Sequence, residues 1–303
     1  MHDEGINHEF LDVVLDGSHP DVYYHFGVSS QDPILAQLRD VRAVIMAGSG
    51  GRIKEFAHTW SEINGGSPIV AFPKEDRFVT RYTAGVLFAS HGMGMPSAAI
   101  AVQELLRMVF LLKGGDHDAM DEVFWARVGT SGGVGLPGGT VVVSTEGLMA
   151  DLKPYRLLAG GDGVYWFDGT FPADVTAAII AANEGSGIPV EMGKTVAGNE
   201  FFLEQFRLDG AVRMATVESK MAWLQWLHRE GVRNIEMESA MLAGYLNHWG
   251  FSKFATICAT LLNRLDGDQV TAPPEQLHKF SEDSGVVMFN YLKATLLDGG
   301  AAR

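Results

Sequence analysis

Two rhythms of apolar residues alternate along this chain, short β-branched or aromatic runs and longer stretches at helical spacing. The short runs predict strands over residues 41–47, 69–72, 85–90, 123–128, 140–144, 231–238 and 254–262. The longer stretches predict helices from Ile53, from the segment 91–97 through Leu112, over 173–183, 220–230 and 241–249, and near 286–297. In the second of these, Ala98, Val102, Leu105, Val109 and Leu112 recur at helical spacing while Ile100, Leu106, Met108 and Phe110 fill the other faces. Such a helix is buried or covered by a partner subunit. Residues 155–167 read as irregular, and residues 199–210 as a mixed polar and aromatic loop. Strands alternating with helices, with no repeat or linker, imply one α/β domain over 1–303, with 1–20 peripheral.

The run 123–128 leads into glycines 129, 132, 133 and 135, where the pattern predicts a sharp turn and a close approach to a ligand. Arg127 interrupts that run just before the turn. A buried guanidinium needs an anion, which Thr130 and Ser131 beside it suggest is phosphate. The alternative is an arginine that simply reaches the surface. Arg52 and Arg77 stand similarly near turn residues, and Gly48, Ser49, Gly50 and Gly51 precede Arg52. The glycine spacing there is not that of a dinucleotide-binding turn. Further on, Glu236 and Glu238 flank Met237 where a strand ends, so that one acid can face a pocket and accept from sugar hydroxyls while the other pairs structurally. Either could equally complement a helix N-terminus.

A formal charge of −14 argues against a nucleic-acid surface and makes three arginines near turns informative. Cys258, the one cysteine, lies in an apolar run and reads as a core thiol. No metal-ligand spacing stands out among the ten histidines. Neither a leader nor an 18-residue uninterrupted apolar run is evident, so the expectation is a cytoplasmic protein without a membrane partner.

Five ordered segments then resemble one family: HGMGMPS at 91–97, RVGTSGG at 127–133, FFLEQFRLDG at 201–210, NIEMES at 234–239 and LLNRLDGDQ at 261–269. They resemble the nucleoside phosphorylase-I family, its animal-type uridine-cleaving branch most, from about Tyr24 to Gln269. The resemblance implies a single-domain nucleoside phosphorylase fold, with a central mixed β-sheet flanked by helices. It also implies reversible phosphorolysis of uridine to uracil and ribose 1-phosphate, with deoxyuridine and thymidine as further candidate substrates. By motif, Gly48, Arg52, Arg127 and Thr130 match the phosphate site, and Arg77 matches an arginine supplied by the neighbouring subunit. His25 matches a histidine reaching across a homodimer toward the ribose 5′-hydroxyl. Met237 and Glu238, with Thr130, match ribose contacts. Gln205 and Arg207 match the uracil-reading pair, with Phe201 stacking, Gly132 lining the base and Arg264 near its O4 edge. Leu261, Leu262 and Val270 would wall the pyrimidine C5. No cofactor beyond phosphate as co-substrate is implied.

The chain departs from the pattern at Ala47, at Ser49 to Gly51, at Phe78 and at Phe206, which stands where glycine is more usual. A purine nucleoside phosphorylase, a nucleosidase or a non-catalytic nucleoside-binding homologue on the same fold are the other readings.

Overall fold

The computed structural model describes residues 19–38 and 40–298, and its contacts divide the chain into two compact units. The expectation for residues 1–20 falls, for residues 1–18, outside the described residues. The first unit comprises the chain to Ala126 together with His248–Lys253. It opens with a two-stranded antiparallel ribbon, β1 (Val22–Tyr23) and β2 (Val28–Ser29), and a 3₁₀ turn at Pro33–Leu38. Strand β3 (Ala43–Ala47) is buried along its whole length and feeds helix α1 (Gly50–Ile63). Ser49 caps that helix, accepting from the Arg52 backbone N–H at 3.4 Å. Ile53, Phe56, Ala57, Trp60 and Ser61 form its buried stripe.

Strands β4 (Val70–Ala71), β5 (Thr80–Thr83) and β6 (Val86–Ser90) follow; β6 runs parallel to β3, and β5 pairs antiparallel with both β4 and β6. The apolar pattern misses β5 because hydroxyls and Arg81 interrupt it. Helix α2 (Met95–Leu112) is, among the described residues, the one helix long and apolar enough to cross a membrane, yet over half of it is buried within the protein. Glu104 is buried on it. A short helix α3 (His117–Asp121), capped by Asp116, leads to the next strand.

That strand, β7, spans Phe124–Gly133, its first three residues in the first unit and the rest in the second. The predicted turn at Gly129 is therefore corrected: the ladder continues to Gly133, and of these glycines only Gly135 has positive φ. The others serve close approach. A Cβ at Gly132 would meet Arg264 Cγ at 2.9 Å, and one at Gly133 the Leu136 carbonyl at 2.6 Å.

The second unit continues with β8 (Val141–Leu148), β9 (Tyr155–Ala159), β10 (Gly163–Phe167), α4 (Ala173–Ala181), β11 (Val190–Ala197), α5 (Val217–Arg229), β12 (Val232–Glu236), α6 (Ser239–Trp249, its last two residues in the first unit), β13 (Phe254–Asn263) and α7 (Pro274–Leu292). Its strands run in the order β12-β11-β8-β13-β7, and β12 returns to pair with β7. The five strands thus close on themselves, which removes open edges. Parallel β8–β11–β12 and antiparallel β8–β13 pairings make the sheet mixed.

Residues 155–167 are an antiparallel hairpin rather than irregular. Tyr155 and Phe167 pack on Tyr245, but Leu158 and Trp166 are exposed, so no single apolar face marks the strands. The final helix starts at Pro274, earlier than predicted, because its first turns carry surface charges such as the Lys279–Asp283 pair at 2.8 Å. It gives way to a π-helical turn at Lys293–Asp298.

Candidate active site

Arg127, on β7, is 7 % exposed and lies between two carboxylates. It donates to Glu238 and stands 3.2 Å from Glu236, with Cys258 from β13 against the same guanidinium. Burial works against the charge, but the surrounding Cys258, Glu238 and Glu236 outweigh it and raise the guanidinium further above its usual range. Its Nε–H has no hydrogen-bond partner among the described residues. Burial pushes the Cys258 thiol up to about 12, so it is a neutral core group, as the apolar run predicts.

The two acids divide their work. Glu236 accepts from the backbone N–H groups of Glu238 and Ser239, each at 2.9 Å, and from Ser239 Oγ at 2.6 Å. It therefore ties down the N-terminus of α6. Burial and the neighbouring Glu238 oppose its ionisation and Arg127 favours it, with the net direction upward. Glu238 turns toward Arg127 instead, with Met237 half-buried between the two acids.

The loop 199–210 presents Gln205 and Arg207, both buried. Gln205 Oε1 is 3.5 Å from Arg264 Nη1, and Arg264 Nη2 donates to the Gln205 carbonyl at 2.8 Å. Gln205 Nε2 has no partner among the described residues. Arg207 donates to Asp209 from Nε at 2.9 Å and from Nη2 at 2.5 Å, and to the Asp268 carbonyl at 2.9 Å. Its guanidinium lies 4.4 Å from the centre of the Phe201 ring.

Asp268, which the sequence reading passed over, ties this region together. It accepts from Arg264 Nε at 3.0 Å, Lys220 Nζ at 2.8 Å and the Leu208 N–H at 2.9 Å. Burial opposes its charge, yet these donors hold the carboxyl below the usual range. The signal available in the sequence was the Arg264–Asp268 spacing; Lys220, a buried lysine on α5, carried none.

Phe206, between the two readers, has φ of +49°, a left-handed conformation that costs a non-glycine residue about 1–2 kcal/mol. Its ring packs against Trp223 of α5 at 5.3 Å, and so does not displace its neighbours from their buried positions. Leu261 and Leu262 line a cavity of about 680 Å³ with Asp268 and Gln269, whereas Val270 is 41 % exposed and outside that lining. Thr130 is half-buried on β7.

In the first unit, Gly48 and the half-buried Arg52 sit at the N-terminus of α1, where backbone N–H groups favour an anion. A Cβ at Gly48 would crowd the Gly92 carbonyl at 3.1 Å. His25 is held by Glu104: Nδ1 lies 2.7 Å from Oε1, and the backbone N–H donates to Oε2 at 3.1 Å. Glu104 is a second residue the sequence reading missed, because only α2 brings it to His25. Exposed Arg77 lines a cavity of about 320 Å³ with Val22, Tyr24, Lys74 and Asp76.

The model of the phosphorylase superfamily matches residues 42–296. The chain is similar to the uridine and thymidine phosphorylase of Caenorhabditis elegans, 38 % identical over 86 % of this chain and 87 % of that one. It is similar also to the inactive uridine phosphorylase B of Schistosoma mansoni, 30 % identical over 90 % of this chain and 92 % of that one. In structure it resembles the uridine phosphorylase of Schistosoma mansoni in complex with thymidine, with a TM-score of 0.85 and 31 % identity over 93 % of this chain and 96 % of that one.

Proposed function

We propose that this chain, which belongs to the phosphorylase superfamily, is a uridine phosphorylase that transfers ribose from uracil to inorganic phosphate. The observation that carries the reading is the buried Gln205 amide, fixed by Arg264, with its Nε2–H₂ unpartnered among the described residues and Arg207 two residues on. An amide so held offers a donor beside an acceptor, which fits the O2 and N3–H of uracil. A buried reader of this kind discriminates strongly against bases that leave it unpaired.

In this reading a phosphate oxygen attacks C1′ as the C1′–N1 bond breaks. The bonding pair passes into the uracil ring and onto O2, where Arg207 stabilises it, and the proton carried by hydrogen phosphate ends on the departing base. No protein nucleophile is needed; positioning and charge stabilisation supply the catalysis. Arg52, Arg127, Thr130 and the Gly48 backbone hold phosphate, with Arg77 contributed by a neighbouring subunit. Glu238 and Met237 hold the ribose, and His25 reaches the 5′-hydroxyl across a homodimer. Phe201 covers the base, Gly132 lines it, Arg264 serves its O4 edge, and Leu261, Leu262 and Val270 lie toward C5. Pyrimidine nucleoside catabolism and salvage in the cytoplasm, with phosphate as co-substrate and no cofactor, complete the reading.

Uracil release from uridine, followed by absorbance with and without phosphate, tests it. Release that requires phosphate is the expected result, and thymidine, deoxyuridine and inosine in the same assay fix the base range. Release without phosphate would make the chain a hydrolase; none under either condition would make it a nucleoside-binding relative. A finer test uses Gly132→Ala, whose methyl would push Arg264 from its seat. It is expected to raise the KM for uridine by about tenfold while leaving the KM for phosphate near wild type.

A further inference from the structure

We propose that Phe206 is a positioning residue for base recognition, clasped to Trp223 so that the residues on either side of it, Gln205 and Arg207, are aimed inward. The inference rests on the base-reading role given above and adds to it the device that sets the readers' direction.

Three observations meet at this residue. Its φ of +49° is one that side-chain-bearing residues rarely adopt, so something must hold it there. Its backbone N–H donates to the Leu203 carbonyl at 3.1 Å and that of Arg207 to the Phe202 carbonyl at 2.8 Å, closing a tight turn around it. Its ring meets Trp223 at 5.3 Å and 47°, and Trp223 is itself anchored by its indole N–H on the Ala150 carbonyl at 3.1 Å. With the Phe206 ring directed to α5, Gln205 and Arg207 are left facing the interior, where both are buried.

Helix α5 supports the loop at a second point. Lys220 stands three residues before Trp223, on the same face of the helix, and donates to Asp268, which in turn receives Leu208 N–H and Arg264. One helix face thus grips the base-reading loop through an aromatic contact on one side and an ion pair on the other.

The test is steady-state kinetics and amide hydrogen exchange on Phe206→Ala, Phe206→Gly, Trp223→Leu and Trp223→Phe. Phe206→Gly accepts the turn freely and isolates the loss of the ring; Phe206→Ala loses the ring and keeps the backbone constraint. Both, and Trp223→Leu, are expected to raise the KM for uridine by about tenfold or more, leave the KM for phosphate within twofold, and lose exchange protection over residues 199–210. Trp223→Phe, which keeps an aromatic face for Phe206 but loses the indole N–H bond to Ala150, is expected to fall between Trp223→Leu and wild type in both readings. Wild-type KM for uridine and wild-type protection in folded Phe206→Ala and Phe206→Gly would overturn the proposal, as would equal changes in both KM values. If the Phe206 variants do not fold, the two Trp223 variants decide it on the same readings. If the unmodified protein releases no uracil, it is the catalytic reading that has failed, and uracil binding by calorimetry then takes the place of KM. An unmodified protein that does not bind uracil would overturn both.

Discussion

Arg127→Ala is expected to lower phosphorolysis by about a thousandfold or more and to destabilise the protein by about 3–5 kcal/mol. The two effects have separate causes. Arg127 is proposed to hold the phosphate dianion, so its loss removes a charge from the reaction centre. It also lies between Glu236 and Glu238, both buried, and its removal leaves two like charges in a space of low polarity. Glu236 keeps its three donors at the start of α6, but Glu238 loses its guanidinium. Arg127→Lys retains a charge without the fork that spans both acids, and should fold better than it turns over. Urea unfolding beside initial rates checks this. A folded Arg127→Ala protein with near-wild-type turnover would remove the arginine from the reaction.

Arg207→Ala is expected to divide the same quantities differently, lowering turnover by about a hundredfold to a thousandfold while costing about 1 kcal/mol or less of stability. Arg207 is proposed to stabilise charge on O2 as the glycosidic bond breaks, an interaction that strengthens in the transition state. Its loss leaves little stranded: Asp209 still accepts from Gln269 Nε2 at 2.6 Å, and the Asp268 backbone carbonyl loses the hydrogen bond from Arg207 Nη2. Single-turnover rates at saturating uridine read the chemical step directly. Near-wild-type turnover would sink this role, and a loss of stability as large as that of Arg127→Ala would show Arg207 to be structural.

The sequence by itself determined the elements whose apolar pattern is local and complete. Strands β3 and β6, and β13 from Phe254 to Thr260, are buried on both faces and read as apolar runs broken only by Ser90, Thr256 and Thr260, and α1 carries its stripe at the spacing its burial requires. Motif by motif it also located the family and the residues proposed for the site. What it left out were elements half in water. Strand β11 begins at half-buried Val190, exposes Glu191 and Met192 and is fully buried only from Thr195, so neither alternation nor a continuous run marks it. Tertiary structure alone decided the partners. Glu104 reaches His25 across 79 residues, Glu238 reaches Arg127 across 111, and Lys220 meets Asp268 from a helix whose sequence reads as an ordinary amphipathic surface. It also decided that glycines 129, 132 and 133 extend a strand instead of breaking it, and that Phe206 adopts a conformation its side chain disfavours. Local propensity acts over a few residues, whereas a buried charge or a left-handed backbone is settled by groups that only the folded chain brings within hydrogen-bonding or packing distance.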